Sequence, residues 1–162
     1  MECVRFSAWP HPQDLSRIPE PNGTVDRAAW LITKSCTSDA DLPTFARWAT
    51  FVAMSSTQLR STFYFAGVVP RDARDFMRIL RLLVHSKGSC HAVAVGLDCR
   101  DYRTLRCLLQ KAGLAASCLR GIDSFETLAP NGFIERQKFL PPDHVLTRRV
   151  VAMLVDQEEV SK

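Results

Sequence analysis

Residues Ala49–Phe63 read ATFVAMSSTQLRSTF, and the spacing of this stretch predicts two short helices joined by a tight turn. Ala49 is small enough to let two helices cross closely. Ser55 is a residue type that caps a helix by accepting a hydrogen bond from the backbone of its first turn. Leu59 and Phe63 follow at intervals of four, so they share one helical face and are expected to anchor the second helix to a core. This spacing is typical of a helix-turn-helix unit.

A longer amphipathic helix is predicted directly after this unit. Pro70 suits a first helical turn, and Gly88 ends the pattern. Arg78 lies three residues after Asp75, so an ion pair between the two is an alternative to contact of Arg78 with a partner molecule. The apolar stripe comprises Phe76, Met77, Ile79, Leu80, Leu83 and Val84, and the other side is expected to present Arg71, Arg74, Arg78 and Arg81.

These two elements together resemble the DNA-binding domain of the AraC/XylS family of bacterial regulators. Trp48–Leu59 follows the pattern W-A-x-x-V-x-x-S-x-x-x-L, and Gly67–Arg81 follows G-x-x-P-x-D-A-R-D-x-x-R-x-L-R. The narrower resemblance is to short AraC-like proteins without a sensor domain. It implies a mainly α-helical fold, with tandem helix-turn-helix units joined by a linker helix. It also implies sequence-specific binding of double-stranded DNA in transcription regulation, with the recognition helices in successive major-groove turns about 34 Å apart.

The resemblance implies a DNA-binding domain at residues 41–120. The first helix-turn-helix is expected at 42–67 and the linker helix at 70–87. A second, degenerate unit is expected at 91–113, where the turn is longer than in the family and an aromatic residue is missing.

The two ends of the chain carry weaker patterns. Residues 1–40 are expected to be an irregular arm, because prolines and an Asn-Gly pair interrupt them, with a short helix or strand around Trp30. Residues 121–162 are expected to be a C-terminal extension with a terminal helix over His144–Val155. The extension either packs on the second unit or forms a homodimer surface, and the sequence leaves both alternatives open.

The family pattern, aligned on Ser55 and Leu59, implies which side chains contact DNA. Arg60 is the strongest candidate for reading a base, because a guanidinium group pairs bidentately with guanine. The implied DNA-binding residues are Ser56, Thr57, Arg60, Ser61 and Tyr64 in the first unit and Arg103, Arg106 and Gln110 in the second. The implied phosphate contacts are Arg47, Arg100 and Lys111. Packing is an alternative for Tyr64, and we expect Phe45, Trp48 and Phe63 to be core residues without a contact role.

The charge of the chain is concentrated in its middle. The net charge is +4, but residues 41–120 carry +7 while residues 1–40 and 121–162 carry −1 and −2. Ten of the twelve cations in this block are arginines, the side chain whose planar fork suits phosphates and guanine edges. The alternative is a solvated helical surface without a partner. The coincidence of the basic block with the helix-turn-helix pattern favours DNA as the partner.

Two competing classes follow from local sequence. Thr62–Val69 and Cys90–Leu97 have the β-branched and apolar composition of strands, which would give a small α/β enzyme. No Gly-rich phosphate loop or hydrolase motif accompanies them, so we expect no enzyme and no cofactor. A protein–protein adaptor on a helix-turn-helix fold is the second alternative.

We expect neither a metal site nor a membrane segment. The six cysteines form no C-x-x-C pair, and a site built on Cys90, His91 and Cys99 is a weak alternative. No apolar run reaches the ~18 residues that a membrane span needs, and we do not expect Met1–Pro10 to be a secretory signal because it has no long apolar stretch. A cytoplasmic, nucleoid-associated regulator is expected, with RNA polymerase as a further partner.

Overall fold

The structure, a computed structural model, describes residues 8–114 and 128–160. Within these residues the chain is mainly α-helical, with nine helices and no β-strand. The helices are α1 (Pro12–Leu15), α2 (Thr24–Ser35), α3 (Phe45–Phe51), α4 (Ser56–Phe65), α5 (Pro70–Ser86), α6 (Cys90–Gly96), α7 (Tyr102–Lys111), α8 (Pro130–Arg136) and α9 (Val145–Val160).

Helices α3 and α4 form the predicted pair with a tight turn between them. Ser55 caps α4 through a reciprocal capping box, in which its hydroxyl accepts from Gln58 N and its own N–H donates to the Gln58 side chain. Leu59 and Phe63 are fully buried, and the Trp48 and Phe63 rings lie 5.0 Å apart between centroids. The two helices, the cap and both anchors are therefore observed where the sequence predicts them. They were predictable because the cap and the anchors lie within a few residues of one another.

Helix α5 runs through the centre of the fold from Pro70, at its first turn, to Ser86. The chain leaves it through Lys87 and Gly88, both at positive φ. Gly88 also lies so close to Trp9 and to the Leu128 backbone that a side chain would not fit there. The amphipathic helix predicted between Pro70 and Gly88 is therefore observed as α5, and its role as a linker stays a prediction.

The solvent-facing side predicted for α5 is wrong at two of its arginines. Arg78 and Arg81 are only 4% and 3% exposed. Arg78 is held by the Asp41 carboxylate, and Arg81 donates to the Ser38 carbonyl at 2.8 Å. Sequence periodicity missed this because a helix packed on several sides buries polar residues wherever a distant partner satisfies them.

The two predicted strands are absent from the described chain. The first half of Thr62–Val69 completes α4, and most of Cys90–Leu97 forms α6. Tertiary packing overrides the β-propensity of these residues, since Phe63 and Val93 both bury their side chains fully from a helix. The α/β architecture is therefore wrong for this part of the chain.

The short helix or strand expected around Trp30 in the N-terminal arm is a helix of twelve residues, longer than the sequence indicates. Helix α2 buries Ala28–Thr33 and packs most extensively against α9. An ion pair of 2.7 Å joins Asp26 to Arg149 across these two helices. The arm becomes helical because its prolines end at Pro21, which leaves Thr24–Ser35 free to follow its apolar stripe.

The C-terminal extension belongs to the same core. The terminal helix predicted at His144–Val155 is observed as α9, and it buries Leu146, Val150 and Leu154. Helix α2 covers this apolar face within the chain, and the alternative of a homodimer surface elsewhere on the extension stays a prediction. The boundary predicted at residue 121 lies outside the described residues.

We expect Ser55→Ala to lower the free energy of unfolding by about 1 kcal/mol, because it removes the cap of α4. Urea denaturation followed by circular dichroism measures this change. Ser56→Ala is the matched control, since Ser56 makes no such cap, and it should change stability by less than about 0.5 kcal/mol. Equal effects of the two substitutions would contradict a capping role for Ser55.

Candidate nucleic-acid interface

The exposed face of α4 carries the residues predicted to contact DNA in the first unit. Burial of Leu59 and Phe63 turns Thr57, Arg60 and Tyr64 towards solvent. Ser56 and Ser61, on the same helix, are half-buried. The structure therefore brings the five predicted residues of this unit onto one short helix.

Arg60 does not project freely from this face. Its guanidinium carbon lies 4.6 Å from the centroid of the Phe45 ring, and that of Arg74 lies 5.3 Å from the same ring. Cation–π contacts of this length are attractive and fix the arginine head groups. Phe45 is partly buried and packs against the core as expected, and its ring also contacts the two arginines. Its helical spacing resembled that of a core residue, and no signal in the sequence pointed to a platform for two arginines.

Arginines from α3, α4, α5 and the segment before α7 line an open cleft of about 750 Å³. We refer to it as the arginine cleft, and its aromatic wall is Phe45. Asp98 is the only carboxylate among its lining residues in the described chain. The six arginines of the cleft are Arg47, Arg60, Arg71, Arg74, Arg78 and Arg100.

Half of these arginines have no acidic partner among the described residues. Arg60, Arg71 and Arg100 form no ion pair within 4.0 Å in that part of the chain. The remaining three have partners: Arg47 pairs with Asp98 at 3.3 Å, Arg74 with Asp75 at 2.9 Å and Arg78 with Asp41 at 2.7 Å. The cleft thus has a surplus of positive charge at its open side.

A buried ion pair forms the floor of this cleft. Asp41 accepts hydrogen bonds from Arg78 at 2.7 and 3.0 Å and from the Asp98 backbone N–H at 2.8 Å. Arg78 also donates to the Asp98 carbonyl at 3.0 Å. Burial opposes the charge on Arg78, but the hydrogen bond and the charge of Asp41 outweigh it, so the pKa of Arg78 lies above its ordinary value. We refer to the contacts among Asp41, Arg78 and Asp98 as the Asp41 clamp.

The alternative that Arg78 pairs with Asp75 is confirmed as a secondary contact. Their side chains approach to 3.8 Å, against 2.7 Å for the pair with Asp41. Residue spacing does not indicate Asp41 as the main partner of Arg78, because the two residues lie 37 positions apart.

Helix α7 exposes Arg103, Arg106 and Gln110, the residues predicted for the second unit. Asp101 caps this helix, and hydrogen bonding from the Thr104 backbone N–H keeps the pKa of Asp101 below its ordinary value. The close helix pairs of the described chain include α3 with α4 and α5 with α6, but not α6 with α7. The second unit therefore lacks the close pairing seen in the first.

The three predicted phosphate contacts differ in their surroundings. Arg47 and Arg100 line the arginine cleft. Lys111 instead pairs with Asp72 at 2.8 Å and lies 5.5 Å from the centroid of the Phe139 ring. Its ammonium group joins α7 to α5, so Lys111 has a structural role that the sequence did not indicate.

Residues 8–114 and 128–160 provide no support for a metal site or for a membrane-spanning helix. No group of three or more His, Cys, Asp or Glu side chains is arranged to hold a metal ion there. No helix of that part is long and apolar enough to cross a membrane. Compared with family models, curated proteins and solved structures, the chain matches none of them.

We expect Asp41→Ala to lower the free energy of unfolding by about 3–5 kcal/mol, because it leaves the guanidinium of Arg78 buried and unpaired. Chemical denaturation measures the loss, and Asp39→Ala at an exposed position is the control. The double variant Asp41→Leu/Arg78→Met should recover part of the loss, since it removes both charges together. A loss no greater than that of Asp39→Ala would contradict the role of the Asp41 clamp.

Proposed function

We propose that the chain binds double-stranded DNA through the exposed face of α4 and the arginine cleft beside it. The proposal rests on the position of Arg60, which lies on the exposed face of α4 and also lines the arginine cleft. It lies on the polar face of a capped, anchored second helix, and it is one of three cleft arginines without an acidic partner in the described chain. The resemblance to AraC-like proteins supports a role in sequence-specific transcription regulation.

The size and chemistry of α4 suit the major groove of DNA. A single α-helix fits this groove, and residues in the first part of a recognition helix reach the base edges. Thr57 and Arg60 occupy such positions, with hydrogen-bonding groups exposed to solvent. Fixing the Arg60 guanidinium on Phe45 lowers the entropy lost when it binds a guanine.

Helix α7 contributes to the same proposal as a second basic element. Arg103 and Arg106 are exposed and have no acidic partner in the described chain. Because α7 is joined to α5 by Lys111 and Asp72, its basic face has a defined position relative to the linker helix. We propose that this face contacts the phosphate backbone and supplies affinity rather than sequence preference.

We expect the protein to bind random-sequence duplex DNA, with an affinity that falls linearly with salt on logarithmic axes. Each phosphate neutralised contributes about −0.9 to the slope, so three unpaired cleft arginines predict a slope of about −3 or steeper. Fluorescence anisotropy of a labelled duplex from ~50 to ~300 mM salt measures it. No binding at ~50 mM salt by the folded protein would contradict the proposal.

We expect Arg60→Ala to lose discrimination at one base pair of a selected site by ~1–3 kcal/mol. Competition between the selected duplex and single-base variants measures this loss. Arg148→Ala is the matched control, because it removes the same charge from an exposed position of α9. If Arg60→Ala weakened all sequences equally, Arg60 would contact a phosphate instead of a base.

A protein–protein adaptor is the second candidate, and an exposed aromatic pair at the end of α4 favours it. Tyr64 and Phe65 are 72% and 75% exposed and meet edge to face, with ring centroids 5.7 Å apart. Exposed aromatic side chains are enriched at protein interfaces. An adaptor does not bind random duplex at low salt, so the anisotropy experiment separates the two candidates.

A further inference from the structure

We propose that the arginine cleft binds a chain of adjacent phosphate groups, from a free oligophosphate or from a nucleic-acid backbone. For a nucleic-acid backbone the proposal rests on the proposed function, and for a free oligophosphate it goes beyond that function, because it requires neither base recognition nor insertion of α4 into a groove. It rests on the positive charge of the cleft, on the Phe45 ring that forms its aromatic wall and on its volume.

The charge of the cleft calls for an anion with several negative groups. Six arginines line it, and among the described residues the only carboxylates that pair with them are Asp41, Asp75 and Asp98. Even if each carboxylate neutralises one arginine, three positive charges remain in one concave surface. Clefts lined by one sign of charge focus the electric field and attract ions of the opposite sign.

The chemistry of the cleft suits phosphate groups. Arginine forks bind phosphate oxygens bidentately, and Arg60, Arg71 and Arg100 have no acidic partner in residues 8–114 and 128–160. The ion pair of Arg47 with Asp98 is largely exposed, so it contributes little stability and can exchange for a phosphate. The Phe45 ring holds Arg60 and Arg74 in place before any ligand arrives.

The extent of the basic surface favours a chain of phosphates over a single ion. The volume of about 750 Å³ lies within the usual range of small-molecule sites. A second cleft of about 340 Å³ between α5 and α7 shares Arg71, Arg74 and Arg78 with it and adds Arg103. Three carboxylates, Asp72, Asp75 and Asp101, also line this second cleft, so the surplus of positive charge lies on the side of the arginine cleft.

Isothermal titration calorimetry of the full chain with sodium tripolyphosphate tests whether a free oligophosphate binds the cleft. At ~50 mM salt we expect tripolyphosphate to bind at least tenfold more tightly than orthophosphate, because more charges are neutralised together. Arg71→Ala and Arg100→Ala should each weaken this binding at least fivefold. Arg148→Ala is the control and should leave it unchanged, and circular dichroism confirms that each variant is folded.

A second titration, with duplex DNA, distinguishes a free oligophosphate from a nucleic-acid backbone as the ligand of the cleft. If the cleft holds a nucleic-acid backbone, Arg71→Ala and Arg100→Ala weaken all duplex sequences alike, each reducing the salt slope by about one. Binding of tripolyphosphate without any duplex binding supports the cleft and overturns the proposed DNA-binding function. If neither tripolyphosphate nor duplex binding depends on Arg71 and Arg100, the cleft proposal is overturned.

Discussion

The burial of one ion pair, Asp41 with Arg78, constrains the rest of the structure. A charged guanidinium inside a helical core is strongly unfavourable unless its donors are satisfied, and here one carboxylate and the Asp98 carbonyl satisfy them. The same carboxylate accepts from the Asp98 backbone N–H, so the segments before α3 and before α7 meet at one point of α5. The two walls of the arginine cleft are therefore fixed to a common floor.

The acidic side chains of residues 41–120 form ion pairs or cap a helix, and this explains why a mildly basic chain has a strongly basic surface. Residues 41–120 contain five acidic residues, and each has a partner within the structure. Asp41, Asp72, Asp75 and Asp98 form ion pairs, while Asp101 caps α7. Because the acids are engaged with structural partners, the unpaired cations lie at the surface without compensation.

Local patterns were predictable from the sequence, and contacts between distant residues were not. The Ser55 cap and the anchors Leu59 and Phe63 act within one helix, so their spacing reveals them. The packing of α2 on α9 joins segments more than a hundred residues apart, and no periodicity encodes such a partner. Within the candidate site, Arg60 was predictable from its position on α4, whereas Phe45 as its platform depends on the fold.

Ion pairs contribute differently to the two halves of the basic surface. Helices α3 and α4 are joined by buried side chains. Helix α7 buries Leu108 and Leu109 and is also joined to α5 by the partly exposed pair of Lys111 with Asp72. The segment before α7 is held by the exposed pair of Arg47 with Asp98 and by the Asp41 clamp. Exposed pairs are screened by salt, and a phosphate competes for the same cations. An anion in the arginine cleft therefore acts on the ion pairs of α7 and of the segment before it, while the apolar packing of α3, α4 and α7 keeps its geometry.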